Sequence, residues 1–163
     1  DPGQLRPSAA PSTDLVLARE MVVGPELARH LYQSVGHEWA WVDRLPWDDE
    51  QWRCRLAAPE VQILVANLGG DHAGYFELES TRDGDVEIAH LGLLERFMGR
   101  GHGGHLLTMA VRQAWATPGA SRVWVHTCSL DAPHAMANYL ARGFTIFRTR
   151  DQDSGPPGPT SLV

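Results

Sequence analysis

The stretch ERFMGRGHGGHLLTMAVRQAW, Glu95–Trp115, constrains the fold more than any other part of the chain. Four of the six positions from Gly99 to Gly104 are glycine, and an apolar helical pattern follows at once. A glycine turn that runs straight into a helix gathers free backbone N–H groups at the positive end of the helix dipole. Glycine also permits positive φ angles and lets a ligand come close to the backbone. The physical reading is an anion site, suited to a pyrophosphate. A flexible loop with a helix cap is the reading that glycines alone leave open beside it. Two phosphate motifs do not fit. No Lys stands where the Gly-Lys-Ser/Thr of a P-loop would need it. The GxGxxG fingerprint expects the first strand of a parallel βαβ unit and an acid about 20 residues on, and GRGHGG is too compact for it.

The periodicity around this turn sets the architecture. DLVLARE, Asp14–Glu20, reads as a short strand, and GPELARHLYQSVG, Gly24–Gly36, as a helix with Leu27, Leu31 and Val35 on one face. HEWAWVDRLPW, His37–Trp47, is irregular and aromatic, and DDEQWRCRLA, Asp48–Ala57, is a second helix opened by acids. The period then changes. VQILVANL, HAGYFELES and VEIAHLGLL, together spanning Val61–Leu94, alternate as a three-strand meander joined by GGD and TRDGD turns. After the glycine turn and a helix to about Ala116 come a strand at SRVWVHT, a helix at DAPHAMANYLAR stopped by Gly143, and a last strand at FTIFRTR. The order β-α-α-β-β-β-α-β-α-β predicts a mixed α/β (α+β) fold, with the glycines at a strand-to-helix junction. Residues 1–13 read as a flexible arm, 14–150 as one domain, and 151–163 as a Pro/Gly-rich tail.

Bulk properties narrow the function. A chain of 163 residues can bury one core, and its net charge of −6 argues against a nucleic-acid backbone as partner. No apolar run approaches the ~20 residues that span a bilayer, and no secretion signal opens the sequence. Cys54 and Cys128 form no CxxC pair or disulfide framework, so a reducing, cytoplasmic setting is expected. His102 and His105 stand three apart, but no third ligand has a fitting spacing, so no metal is expected.

LLERFMGRGHGGHLL followed by DAPHAMANYLARGF resembles the GNAT superfamily of N-acetyltransferases, and the order of elements over 14–150 is similar throughout. The superfamily signature Arg/Gln-x-x-Gly-x-Gly/Ala fits Arg96–Gly101 literally. It fits Met98–Gly103 better with the HLL at the helix start, leaving Met98 in place of the usual Arg or Gln. A second signature, Ala then Tyr four residues on and then Gly-Phe, is matched by Ala135, Tyr139, Gly143 and Phe144. The resemblance implies a mostly antiparallel sheet that splays between its fourth and fifth strands, flanked by about four helices. It implies acetyl-CoA, or another acyl-CoA, as cosubstrate. Backbone amides of Gly99, Arg100, Gly101, His102, Gly103 and Gly104, next to Met98, would hold the pyrophosphate. Main-chain groups near Leu91 and Leu93 would pair with the pantetheine arm as an added strand. Dimerisation is common in the superfamily, which makes a homodimer compatible with the resemblance; no sequence feature fixes it.

Acyl transfer to an amine needs a base for the ammonium, support for an oxyanion and a proton for the leaving sulfur. Tyr139 resembles the superfamily tyrosine that protonates the sulfur; a phenol of pKa ~10 is a neutral donor at pH 7. Three residues are candidates for the base. Glu87 lies eleven residues before Met98, a spacing that resembles histone-acetylating members with a catalytic Glu on the same strand. Glu77 is on the neighbouring strand. His126 is on the strand across the splay, and its ordinary pKa of ~6.5 suits a base. Trp39, Trp41 and Trp47, interleaved with Asp43, suit a cationic amine acceptor by cation–π and Coulomb attraction. The reading is an acetyl-CoA-dependent N-acetyltransferase acting on a small-molecule or peptide amine. The alternative is a non-catalytic acyl-CoA-binding module, which needs the glycine turn but neither Tyr139 nor a base.

Overall fold

The computed structural model describes residues 1–9, 14–18, 22–39, 41–128, 130–149 and 160–162. In chain order its elements are β1 (Val16–Leu17), α1 (Pro25–Gly36), α2 (Asp49–Ala57), β2 (Val61–Leu68), β3 (Asp71–Ser80), β4 (Asp85–Leu93), α3 (His102–Ala116), β5 (Arg122–Thr127), α4 (Ala135–Ala141), β6 (Ile146–Arg148) and β7 (Thr160–Leu162). One mixed sheet runs in the order β1-β2-β3-β4-β5-β7-β6. Every pairing is antiparallel except β4 with β5, which is parallel.

Helices cover both faces. On one, Leu31 and Val35 of α1 pack on Val65 and Tyr75 of the meander. This is the apolar stripe expected from the sequence. Here Asp48 caps α2 reciprocally: its carboxylate accepts from the Gln51 N–H at 2.9 Å and its own N–H donates to the Gln51 side chain at 2.9 Å. On the other face, Leu106, Leu107, Ala110 and Ala114 of α3 form the larger core with Phe76, Ile88, Val123, Val125 and Tyr139.

Two features of β4 place everything that follows. Its ladder to β5 covers only Asp85–Glu87 against Arg122–Trp124, after which the strands part. Its ladder to β3 skips a residue: Ile88 faces Leu78 but His90 faces Glu77, so Ala89 is a bulge. A bulge of this kind bends a strand and re-aims its side chains. Glu87 and His90 therefore share the face toward α1 and α2, although simple alternation would separate them.

The two ends of the chain show more structure than an arm and a tail suggest. The Arg6 N–H donates to the Arg142 carbonyl at 3.0 Å, and the Ser8 N–H to the Thr108 hydroxyl at 3.0 Å. Thr160–Leu162, in the stretch assigned to the tail, pairs between β5 and β6. Composition did not signal this strand, because only three residues of an otherwise Pro/Gly-rich segment pair with the sheet. Much of the expected arm and tail, and the Arg19–Glu20 end of the first expected strand, lie outside the described residues.

The turn before α3 places Gly101 at the helix N-cap with φ of 81°. Nothing lies within 4 Å of where its Cβ would stand, so a substitution there meets torsional strain alone. Gly101→Ala should cost about 1–2 kcal/mol in urea unfolding, and Gly101→Asn less, because Asn tolerates the left-handed region. Equal effects of the two substitutions would contradict this.

Candidate functional site

Where β4 and β5 part, a cleft of about 770 Å³ opens. Its floor is the free edge of β4 from Ile88 to Leu93. One end is closed by the glycine turn through Met98, Gly99, Gly103 and Gly104, and one side by α4 through Asn138 and Tyr139. The far side is the loop between α1 and α2, with Trp39, Trp41 and Asp43.

The expected donor residues Leu91, Leu93, Met98, Gly99, Gly103 and Gly104 all line the cleft. Gly101 shapes the turn from outside it. Arg100 is exposed, and His102 is turned inward, only 3% exposed. The first N–H groups of α3 lack helical acceptors by construction and carry the helix's positive end. Among the described residues the β4 main chain has no strand partner beyond Glu87 on the β5 side. An elongated ligand with amide groups and a diphosphate fits both features: a row of unpaired backbone groups and an amide-lined turn.

Glu87 and His126 meet at the fork. The His126 ring nitrogen Nδ1 is 2.5 Å from a Glu87 carboxylate oxygen. That contact holds the imidazolium form and raises His126 above its ordinary pKa; burial works against this, and the charges of Asp131 and Asp43 add to it. Val123 and Val125 are buried in the α3 core, so His126 projects to the opposite face of the strand, into the cleft. Tyr139 also lines the cleft and is buried; burial, reinforced by the Asp131 carboxylate, raises its phenol well above its usual value. It is a neutral O–H donor at any working pH.

Glu77 and Trp47 are placed otherwise than the sequence suggests. Glu77 is fully buried and outside the cleft lining. Arg44 grips it with two bonds, 2.6 and 2.8 Å, and Arg55 donates to the same carboxylate, through Nε at 2.9 Å. Burial alone would raise its pKa, but the Arg44 and Arg55 guanidinium groups outweigh it, and the group stays ionised below its usual range. A carboxylate held by two guanidinium groups and kept ionised by them is a poor proton acceptor. Trp47 does not reach the cleft either. Its ring lies 4.9 Å from the Arg44 guanidinium carbon and 5.2 Å from Trp52, so it roofs the buried ion pair.

Sequence reasoning missed His90. The bulge at Ala89 turns it into the cleft, between Trp41 at 4.6 Å and Tyr32 at 5.3 Å between ring centres. Burial lowers its pKa to about 3, with the Glu77 carboxylate pulling the other way, so it is a neutral imidazole. Only the bulge could have revealed it, and VEIAHLGLL shows none. Trp41 packs closely on the end of α1. A Cβ on Gly36 would lie 2.5 Å from the Trp41 Cβ, so this approach requires glycine. Among the described residues no group of three or more His, Cys, Asp or Glu side chains could hold a metal ion. No helix among them is long and apolar enough to cross a membrane.

Comparison with known proteins gives a consistent picture. The model of the acetyltransferase (GNAT) family matches residues 26–144. A search of curated proteins finds no match. Among solved structures, an acetyltransferase from Thermus thermophilus superposes with a TM-score of 0.66 at 22% identity, over 94% of this chain and 97% of that one. An acetyltransferase from Bacillus subtilis in complex with CoA gives 0.63 at 21% identity, over 93% and 97%. A spermidine/spermine N-acetyltransferase from Vibrio cholerae gives 0.71 at 13% identity, over 91% and 93%. At these identities the likeness is one of fold.

The buried ion pair yields a test independent of ligand. Glu77→Ala leaves two guanidinium groups buried without a counter-charge and should lower stability by about 3–5 kcal/mol in urea unfolding. A loss below about 1 kcal/mol, the range of exposed pairs, would contradict the assignment.

Proposed function

The chain belongs to the acetyltransferase (GNAT) family, and we propose that it transfers an acetyl group from acetyl-CoA to a primary amine of a small molecule or peptide. Attack is direct, with both substrates bound in the cleft. The observation that carries this reading is the Glu87–His126 contact at the fork of β4 and β5, in the cleft that Tyr139 also lines. A module that only bound acyl-CoA would need neither.

The backbone amides of the glycine turn receive the diphosphate, and the free edge of β4 near Leu91 and Leu93 pairs with the pantetheine amides. CoA bound in a structure of the same fold supports this donor. Acetyl-CoA supplies an acetyl group activated as a thioester. On the protein side, His126 accepts a proton from the acceptor ammonium, directly or through one water. Glu87 fixes the ring by its contact to Nδ1, which leaves Nε2 for that proton, and it stabilises the charge that results. Backbone N–H groups at Leu91–Leu93 face the carbonyl oxygen as it gains charge. Tyr139 gives its proton to the departing sulfur. The acceptor nitrogen thus gains the acetyl group and loses two protons, one to His126 before attack and one as the tetrahedral adduct collapses; the second restores the proton that Tyr139 gave to the sulfur, and CoA leaves as the free thiol. Glu77 and Arg44 act at a distance, by holding the wall that carries His90 and Trp41.

The pH dependence follows from the contact. His126 must be neutral to accept a proton, and Glu87 favours its charged form. The acidic limb of kcat/KM should therefore lie above ~6.5. Glu87→Gln removes the carboxylate, lowers the His126 pKa and should move that limb to lower pH while reducing kcat. A limb that stays in place or moves upward would rule out the pair. Separately, Tyr139→Phe should reduce kcat by about 100-fold and leave acetyl-CoA affinity intact, read by free-thiol release and calorimetry. Unchanged kcat would remove Tyr139 from the transfer step.

A further inference from the structure

The reading above leaves the acceptor open, and the cleft's charges select among the candidates. Its acceptor half is walled by the rings of Tyr32, Trp39 and Trp41, with His90 between Tyr32 and Trp41. Two aspartates reach the same space, Asp43 from the α1–α2 loop and Asp131 from the loop after β5. Among the described residues neither is paired with a cation. No Lys or Arg is among the described lining residues. The guanidinium groups of Arg44 and Arg55, on the same side of the sheet as the aromatic wall, are bound to Glu77.

The two aspartates are not equivalent. One Asp131 oxygen accepts from the Thr127 hydroxyl at 2.5 Å and from the Cys128 N–H at 3.0 Å, which ties it into its own loop. Asp43 is exposed at the rim with no such tie. One freely available carboxylate beside aromatic faces suits a single ammonium on an apolar body. A second ammonium would find rings and an Asp131 carboxylate already bonded within its loop through one oxygen. An acceptor carboxylate would stand near Asp43 and Asp131 with no Lys or Arg among the described lining residues to offset it, and like charges held together in an interface cost several kcal/mol.

Resting on the acetyl-transfer reading, we propose that the acceptor is an arylalkylamine: a primary amine on an aromatic body, without a carboxylate. The ammonium enters past Asp43, the aromatic body stacks in the wall formed by Trp39, Trp41 and Tyr32, and the amine is presented to His126. Once deprotonated by His126, its nitrogen forms the new bond to the acetyl carbon, the carbon–sulfur bond breaks, the sulfur takes the Tyr139 proton, and the second proton released by the nitrogen restores the phenol.

Three acceptors separate the possibilities: 2-phenylethylamine, phenylalanine, which differs from it by the carboxylate, and spermidine. Free-thiol release from acetyl-CoA is measured for each with the full chain. All 14 basic side chains of the chain are arginine, so release cannot come from transfer to its own lysines. The expected result is a kcat/KM for 2-phenylethylamine at least about 100-fold above that for phenylalanine, and above that for spermidine. Asp43→Asn should raise KM for 2-phenylethylamine about tenfold, with acetyl-CoA affinity unchanged. If phenylalanine or spermidine is the better acceptor, or if Asp43→Asn leaves KM unchanged, the inference falls and the acetyl-transfer reading stands. If no amine releases thiol while CoA still binds, both fall.

Discussion

The separation of two parallel strands is the constraint on which the rest of this molecule depends. β4 and β5 share a ladder for three residues and then part. A sheet normally pairs its backbone groups, because unpaired ones are costly once removed from water. Among the described residues one edge of β4 is left open from Ile88 onward, and a cleft occupies the space. A ligand that carries its own amide groups restores the missing pairings. The glycine turn lies immediately beyond the same strand, so one segment of chain supplies both the edge and the anion site.

The bulge at Ala89 links that open edge to the chemistry. It shifts the strand by one residue, so Glu87 and His90 fall on one face and Leu91 and Leu93 on the other. The first pair faces the aromatic loop, and the second faces α3. The cleft thus has an aromatic side and a side toward α3 divided by a single strand, and the proposed transfer puts the acceptor on the first and the donor on the second. Behind the acceptor side, Glu77 with Arg44 and Arg55 forms a buried charge cluster roofed by Trp47 and Trp52. It holds the loop that carries Trp41 and Asp43 while keeping cations out of the cleft itself.

Much of this was legible in the sequence. The meander, the two flanking helix pairs and the glycine turn follow from local periodicity and turn chemistry, which short segments express on their own. The resemblance of ANYLARGF singled out Tyr139, which lines the cleft; its role there belongs to the proposal. What escaped was set by pairing between distant segments. Whether His126 faces the core or the cleft depends on the register of β5 against β4. Whether Glu77 is free or neutralised depends on Arg44, 33 residues away in an irregular loop. His90 was invisible because alternation assigns it the wrong face, and only the bulge reverses this. Trp47 looks equivalent to Trp39 and Trp41 in composition, yet it packs on an arginine whose partner the sequence does not reveal.

The central claim is that CoA completes the open edge of β4 and seats its diphosphate on the glycine turn. Amide hydrogen exchange, with and without CoA, reads both places at once. The account predicts that CoA slows exchange in Ala89–Leu93 and in Gly99–Gly104 together, with little change in β2, whose ladder to β3 is already formed. Protection confined to other parts of the chain, or absent from β4 while CoA is bound, would contradict it.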